Sequence, residues 1–124
     1  MLVLVDRNVR NFYQRQDGFE FSAVEQHSAA PFYSNCVIYA FNAHNTTIQN
    51  NNITGCSWGI WFQNSTGGII ENNNVQNQLI TGIFNFQSPK TIIRNNNVTN
   101  AKNHGIDVRH GAGNAVKVLN NYIV

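Results

Sequence analysis

The sequence predicts an all-β solenoid, a chain that winds in coils and lays each short strand parallel to its counterpart one turn earlier. Three observations predict it. Asparagine runs recur at Asn50-Asn51-Asn52, Asn72-Asn73-Asn74, Asn95-Asn96-Asn97 and Asn120-Asn121, each preceding Ile53, Val75, Val98 or Ile123. Those aliphatic positions lie 75 − 53 = 22, 98 − 75 = 23 and 123 − 98 = 25 residues apart, a period typical of stacked repeats. The strand signals between them are too short for a sandwich and lack two-residue hairpin turns, Asp17-Gly18 being the lone candidate.

Each coil carries three strand signals. The first is Ile38-Tyr39-Ala40-Phe41, then Ile60-Trp61-Phe62-Gln63, Ile83-Phe84-Asn85-Phe86 and Ile106-Asp107-Val108-Arg109, with glycine before the last three. The second runs up to Ile48, Ile70, Ile93 and Val118, and the third is centred on Ile53, Val75, Val98 and Ile123. Between second and third strands the chain must bend through a left-handed residue, which asparagine tolerates, and an amide there can bond to the amide one rung away. Asn50, Asn51, Asn72, Asn73, Asn95, Asn96, Asn120 and Asn121 are therefore expected to form a structural ladder.

The N-terminal part follows the repeat more loosely. With Leu4 placed on Ile93, Leu4, Asp6, Arg7, Asn8, Val9 and Asn11 match the later motif, and 53 − 9 = 44 = 2 × 22 leaves room for one intervening coil. In that coil Gly18-Phe19-Glu20-Phe21 resembles the Gly-Ile strands, while residues 23–35 read as irregular, a looser turn or a short helix. The expectation is one domain over residues 1–124, with about five coils of 22–25 residues and both ends uncapped.

The pattern resembles the right-handed parallel β-helix of the pectin-lyase-like superfamily, in particular its short parallel β-helix repeat proteins. The residues that carry the resemblance are Gly82-Ile83, Ser88, Ile93-Arg94-Asn95-Asn96-Asn97-Val98 and Asn100, with their neighbours one coil away. The resemblance implies the fold, and clefts on the first-strand face. It leaves function open, since that superfamily holds lyases, hydrolases, epimerases, tailspikes and non-enzymatic accessory proteins.

Composition narrows the partners. Hydrophobic residues make up 42% of the 124 and charged residues only 11%, so asparagine supplies the polar positions. A net charge of +2 is too small to argue for nucleic acid. The sequence shows neither a membrane-length apolar run nor a signal peptide, so the compartment is unknown; a fragment of a longer protein would be expected to be secreted or periplasmic. Cys36 and Cys56 fall on neighbouring rungs about two residues out of register, roughly 8 Å apart, beyond disulfide reach. Both are expected as free thiols. His27, His44, His104 and His110 show no ligand spacing, and no metal or cofactor is expected.

Alternation along the first strand assigns the faces. Ile38, Ile60, Ile83 and Ile106 point inward with Ala40, Phe62, Asn85 and Val108. Two outward columns result: Glu20, Tyr39, Trp61, Phe84 and Asp107, beside Ser22, Phe41, Gln63, Phe86 and Arg109. Tyr39, Phe41, Trp61, Gln63, Phe84 and Phe86 thus define a ligand or interface face. Flat rings suit pyranose rings, but an apolar face of this size on a single chain points first to an interface with another chain.

Catalysis is weighed on the few acids present. Hydrolysis needs two carboxyl groups about 5–9.5 Å apart, whereas Glu20 and Asp107 are placed four coils apart. A lyase or epimerase needs a base and a cation, for which Asp107, Arg109 and His110 are the candidate catalytic residues. D-V-R-H on a strand is also ordinary surface, so the reading leans away from an enzyme. The expectation is a non-catalytic polysaccharide-binding or interaction module. Its alternatives are a small lyase or epimerase-like enzyme on acidic glycans and a structural self-assembly module. A homo-oligomer is expected, with polysaccharide as a possible partner and neither nucleic acid nor membrane.

Overall fold

The computed structural model describes residues 2–5, 12–15, 18–22, 25–28, 36–109 and 115–124, with side chains described from residue 38 onward. The strands are β1 (Leu2–Val5), β2 (Phe12–Arg15), β3 (Gly18–Ser22), β4 (Glu25–Ser28), β5 (Cys36–Phe41), β6 (Thr47–Gln49), β7 (Asn52–Gly55) and β8 (Trp58–Gln63). They continue as β9 (Ile69–Glu71), β10 (Asn74–Gln76), β11 (Thr81–Phe86), β12 (Ile92–Arg94), β13 (Asn97–Thr99), β14 (His104–Arg109), β15 (Lys117–Leu119) and β16 (Tyr122–Ile123). Three sheets result. β5, β8, β11 and β14 stack in parallel as the first-strand sheet, β3, β6, β9, β12 and β15 as the second, and β4, β7, β10, β13 and β16 as the third.

The register places like residues on like. Ile38, Ile60, Ile83 and Ile106 align, as do Ile48, Ile70, Ile93 and Val118, and Ile53, Val75, Val98 and Ile123. Their inward faces meet along the axis: Ile38, Ile48, Ile53, Ile60, Ile70, Val75, Ile83, Ile93 and Val98 are fully buried, with Phe62 beside them. Burying each such side chain contributes about 1.5–3 kcal/mol relative to water. Ile106 and Val108, on the last described first strand, are partly buried and pack against this core.

The corners show why asparagine recurs. The first asparagine of each run, Asn50, Asn72, Asn95 and Asn120, takes positive φ of 58°, 56°, 56° and 54°. The second turns inward. Asn51 donates from Nδ2 to Asn73 Oδ1 at 2.9 Å, Asn73 to Asn96 Oδ1 at 3.0 Å and Asn96 to Asn121 Oδ1 at 2.9 Å. Each Oδ1 also accepts the backbone N–H of the rung before, and Asn73, Asn96 and Asn121 donate back to Ile48, Ile70 and Ile93 carbonyls. The sequence assigns bend and ladder to the same pairs; the structure gives one role to each member. Ser65 and Ser88 repeat the device at the corner after the first strand, where their Oγ atoms accept from Ala43 and Ser65 N–H at 3.0 Å.

The glycines at the second position of the first strands, Gly59 in β8 and Gly82 in β11, have a packing cause. A Cβ on Gly82 would lie 2.5 Å from Val98 Cγ1 and 2.8 Å from the Gly105 carbonyl, and one on Gly59 would meet Val75 and the Gly82 carbonyl similarly. The corner from third to first strand is thus closed by backbone stacked on backbone.

The N-terminal part departs from expectation. About four turns form instead of about five, because β1 and β2 are antiparallel additions. β1 pairs with β5, Leu2 opposite Phe41 and Val5 opposite Ile38, so Leu4 does not occupy the position of Ile93. β2 pairs with β3, Arg15 opposite Gly18, the one place where the sequence offered a hairpin. The end expected to be uncapped therefore has antiparallel strands along two of its sheet edges, which occupy hydrogen-bonding groups an open edge would expose. Glu20 and Ser22 also change sheet. Phe21 aligns with Ile48, so Glu20 and Ser22 stand beside Thr47 and Gln49 in the second sheet, away from the aromatic columns. Within the stretch expected to be irregular, residues 25–28 form a strand, with Gln26 aligned on Ile53. Residues 29–35 lie outside the described residues.

Candidate binding face

The outward side of the first-strand sheet carries the aromatic columns. Because the rungs are parallel and in register, Tyr39, Trp61, Phe84 and Asp107 form one file, and Phe41, Gln63, Phe86 and Arg109 its neighbour. The rings meet edge to face: Tyr39 and Trp61 at 5.5 Å between centroids and 76°, Trp61 and Phe84 at 5.0 Å and 62°. That geometry suits the ring quadrupoles. Phe86 leans on Phe84 at 5.7 Å, and Tyr39 donates its hydroxyl hydrogen to Gln63 Oε1 at 2.9 Å.

The file is less open than alternation alone implies. Phe84 is only 9% exposed, packed between Trp61, Phe86 and the Arg109 guanidinium, whose carbon lies 6.0 Å from its ring centre. Tyr39, Phe41, Trp61, Gln63 and Phe86 are half-buried. Trp61 Nε1 is buried and has no hydrogen-bond partner among the described residues. Strict alternation misses Trp58, which lies 4.8 Å from Trp61 between ring centroids. The intervening Gly59 faces Val75 in the core and resets the alternation, so Trp58 and Trp61 share a side. The Trp-Gly-Ile-Trp stretch was the available signal.

The C-terminal end of the file is ionic. Arg109 Nε lies 3.0 Å from Asp107 Oδ1 and 2.9 Å from Oδ2, and His104 Nδ1 lies 3.6 Å from Oδ2. Of the three candidate catalytic residues, Asp107 and Arg109 are brought together, and His104 is the imidazole beside them. His110 lies outside the described residues. An aspartate held this way has its oxygens engaged by its own cation, a poor arrangement for taking a proton from substrate. The other carboxylate with a described side chain, Glu71, is on the second sheet and accepts from Arg94 Nε at 2.6 Å. No two described carboxylates share a face, and no three His, Cys, Asp or Glu side chains gather in metal-binding fashion among the described residues.

Elsewhere the sequence-stated details divide. Asn85 points inward as alternation requires, fully buried, and donates from Nδ2 to the Ser88 carbonyl at 3.0 Å, while its Oδ1 is unpaired among the described residues. Cys56 is a buried free cysteine. Cys36 aligns with Trp58 in the first-strand sheet.

Comparison with known proteins agrees with the architecture: the family model described as a right-handed beta helix region matches residues 7–123. No curated protein and no solved structure matches the chain.

Proposed function

The chain belongs to the right-handed β-helix family, and from that premise we propose that it is a non-catalytic module whose aromatic first-strand face binds polysaccharide. The observation that carries this reading is the file Tyr39–Trp61–Phe84, one ring per rung on a rigid sheet, flanked by Trp58 and by Gln63. Phe84 serves as the floor, and the half-buried edges of Tyr39, Trp61 and Phe86 are the parts a sugar ring meets. Gln63 and Arg109 stand where hydroxyl groups need donors and acceptors. The locked Asp107–Arg109 pair favours binding over turnover.

Affinity electrophoresis through gels containing soluble xylan, polygalacturonate or alginate tests it. Trp61→Ala and Phe84→Ala are expected to abolish the retardation seen with the natural chain while its sedimentation stays unchanged. If no gel retards the natural chain, the reading fails. Release of unsaturated uronates, lost in Arg109→Ala or His110→Ala, would instead establish the lyase alternative.

A second reading, self-assembly, rests on β15, β16 and the residue after them. Val118, Leu119, Tyr122, Ile123 and Val124 are 45–71% exposed there. Open strand edges and this much apolar surface suit a further rung, whether of a longer chain or of a second copy. Sedimentation of the natural chain against Val118→Lys and Ile123→Lys reads this directly: an oligomer dispersed by either change supports it, and a monomer throughout removes it.

A further inference from the structure

The third sheet presents an outward face unlike the other two. On β7, β10 and β13 the inward residues Ile53, Val75 and Val98 are fully buried, and the outward ones form two columns, Asn52, Asn74, Asn97 and Thr54, Gln76, Thr99. At the adjoining corner Asn77 and Asn100 make a third, shorter column. The first-strand sheet has Asp107 and Arg109 outside and the second has Glu71 and Arg94. Across these three rungs the third has no ionisable side chain and no aromatic ring. The register sets Glu25 and His27 one rung before the columns, and Tyr122 one rung after the first.

The amides hold one another in place. Asn74 Nδ2 donates to Asn52 Oδ1 at 3.1 Å, Asn97 Nδ2 to Asn74 Oδ1 at 3.1 Å, and Asn100 Nδ2 to Asn77 Oδ1 at 2.9 Å. Gln76 Nε2 reaches Thr54 Oγ1 at 3.4 Å. An amide has two N–H donors and two acceptor lone pairs, and each of these contacts uses one donor and one acceptor. The remaining capacity repeats at the strand spacing, about 4.8 Å, over about 10 Å from Asn52 to Asn97.

We infer that this face docks on an insoluble, neutral, hydroxyl-rich polymer, a contact separate from the aromatic file. Hydroxyl groups match an uncharged array of donors and acceptors, and an acidic polymer would find no cation on these three rungs. A single hydrogen bond exchanged with water gives little net free energy. A rigid periodic array gains only where the ligand is rigid and periodic too, because many contacts then form without further ordering cost. That selects the surface of a solid glycan over a soluble chain.

The test is partition of the full chain onto microcrystalline cellulose and chitin, at low salt and at about 1 M salt. The natural chain is expected to bind at least one solid, equally at both salts. Gln76→Lys and Thr54→Lys, on different rungs, are each expected to weaken binding about tenfold by pressing an unpaired charge against a neutral surface. Thr47→Lys on the second sheet should bind as the natural chain does, and matching thermal melts show that the variants fold. Binding to neither solid overturns the inference, as does binding unaffected by both third-sheet changes or weakened equally by Thr47→Lys. Loss in Trp61→Ala alone would assign the solid to the aromatic file and remove this inference, while the aromatic reading itself stands or falls on the soluble gels.

Discussion

The buried asparagine column and the aromatic file are built alike, one residue per rung in register, and they differ in what each rung allows. Inside, Asn51, Asn73 and Asn96 are identical and 2% exposed, each serving hydrogen-bonding groups on the rungs beside it. Outside, Tyr39, Trp61, Phe84 and Asp107 occupy equivalent places with four side-chain types. An interior position with polar backbone to satisfy admits few solutions, because a buried donor left unpaired costs more than its hydrogen bond contributed. An outer position can lean on a neighbour or on water.

Substitutions can break that contrast. The largest effect is expected for Asn73→Ala, which strips the acceptor from two Asn51 donors and the donor from the Ile48 carbonyl. About 4 kcal/mol should be lost, read as a lower midpoint in urea. Next comes Gly82→Ala, whose new methyl must displace Val98 and the Gly105 carbonyl. About 2–3 kcal/mol is expected, and a smaller loss in the same unfolding measurement would show that the corner yields. Trp61→Ala removes ring contacts to Tyr39, Trp58 and Phe84. If the outer file is more tolerant, this costs about 2 kcal/mol, less than the single amide inside.

At Asn95, with φ of 56°, Ala is expected to cost about 1 kcal/mol and Gly almost nothing. Differential scanning calorimetry on the pair separates this backbone preference from the ladder. The smallest effect belongs to Asn85→Leu. The Ser88 carbonyl keeps its bond from Thr91 Oγ1 at 2.9 Å, and the unpaired Oδ1 is gone. Stability within about 1 kcal/mol of the natural chain is expected, and a large loss would mean that the buried oxygen has a partner.

Much of the fold was legible because a solenoid writes its period into the chain. From Ile38 onward, the spacing of Ile53, Val75 and Val98 predicts which residues align, and the Gly-Ile starts mark the first strands. Legibility stopped where the repeat did. Leu2–Val5 has the alternation of any strand, and nothing local says that it runs antiparallel beside β5. Gly18-Phe19-Glu20-Phe21 has a first-strand look, yet its strand pairs in the second sheet, with Phe21 in register with Ile48. In the aromatic face, membership of each column was readable except for Trp58, hidden by the Gly59 reset, while the depth of Phe84 was not.

What the sequence determined by itself is the winding: period, corner residues and inward file all follow from short-range chemistry repeated every turn. Left-handed bends favour asparagine, and stacked amides need another amide one rung away. Only the tertiary structure decided direction at the first rung, the division of each asparagine pair into bend and ladder, and how far the rings cover one another. Those depend on what lies on the neighbouring rung, and the neighbouring rung is some twenty residues away in the chain.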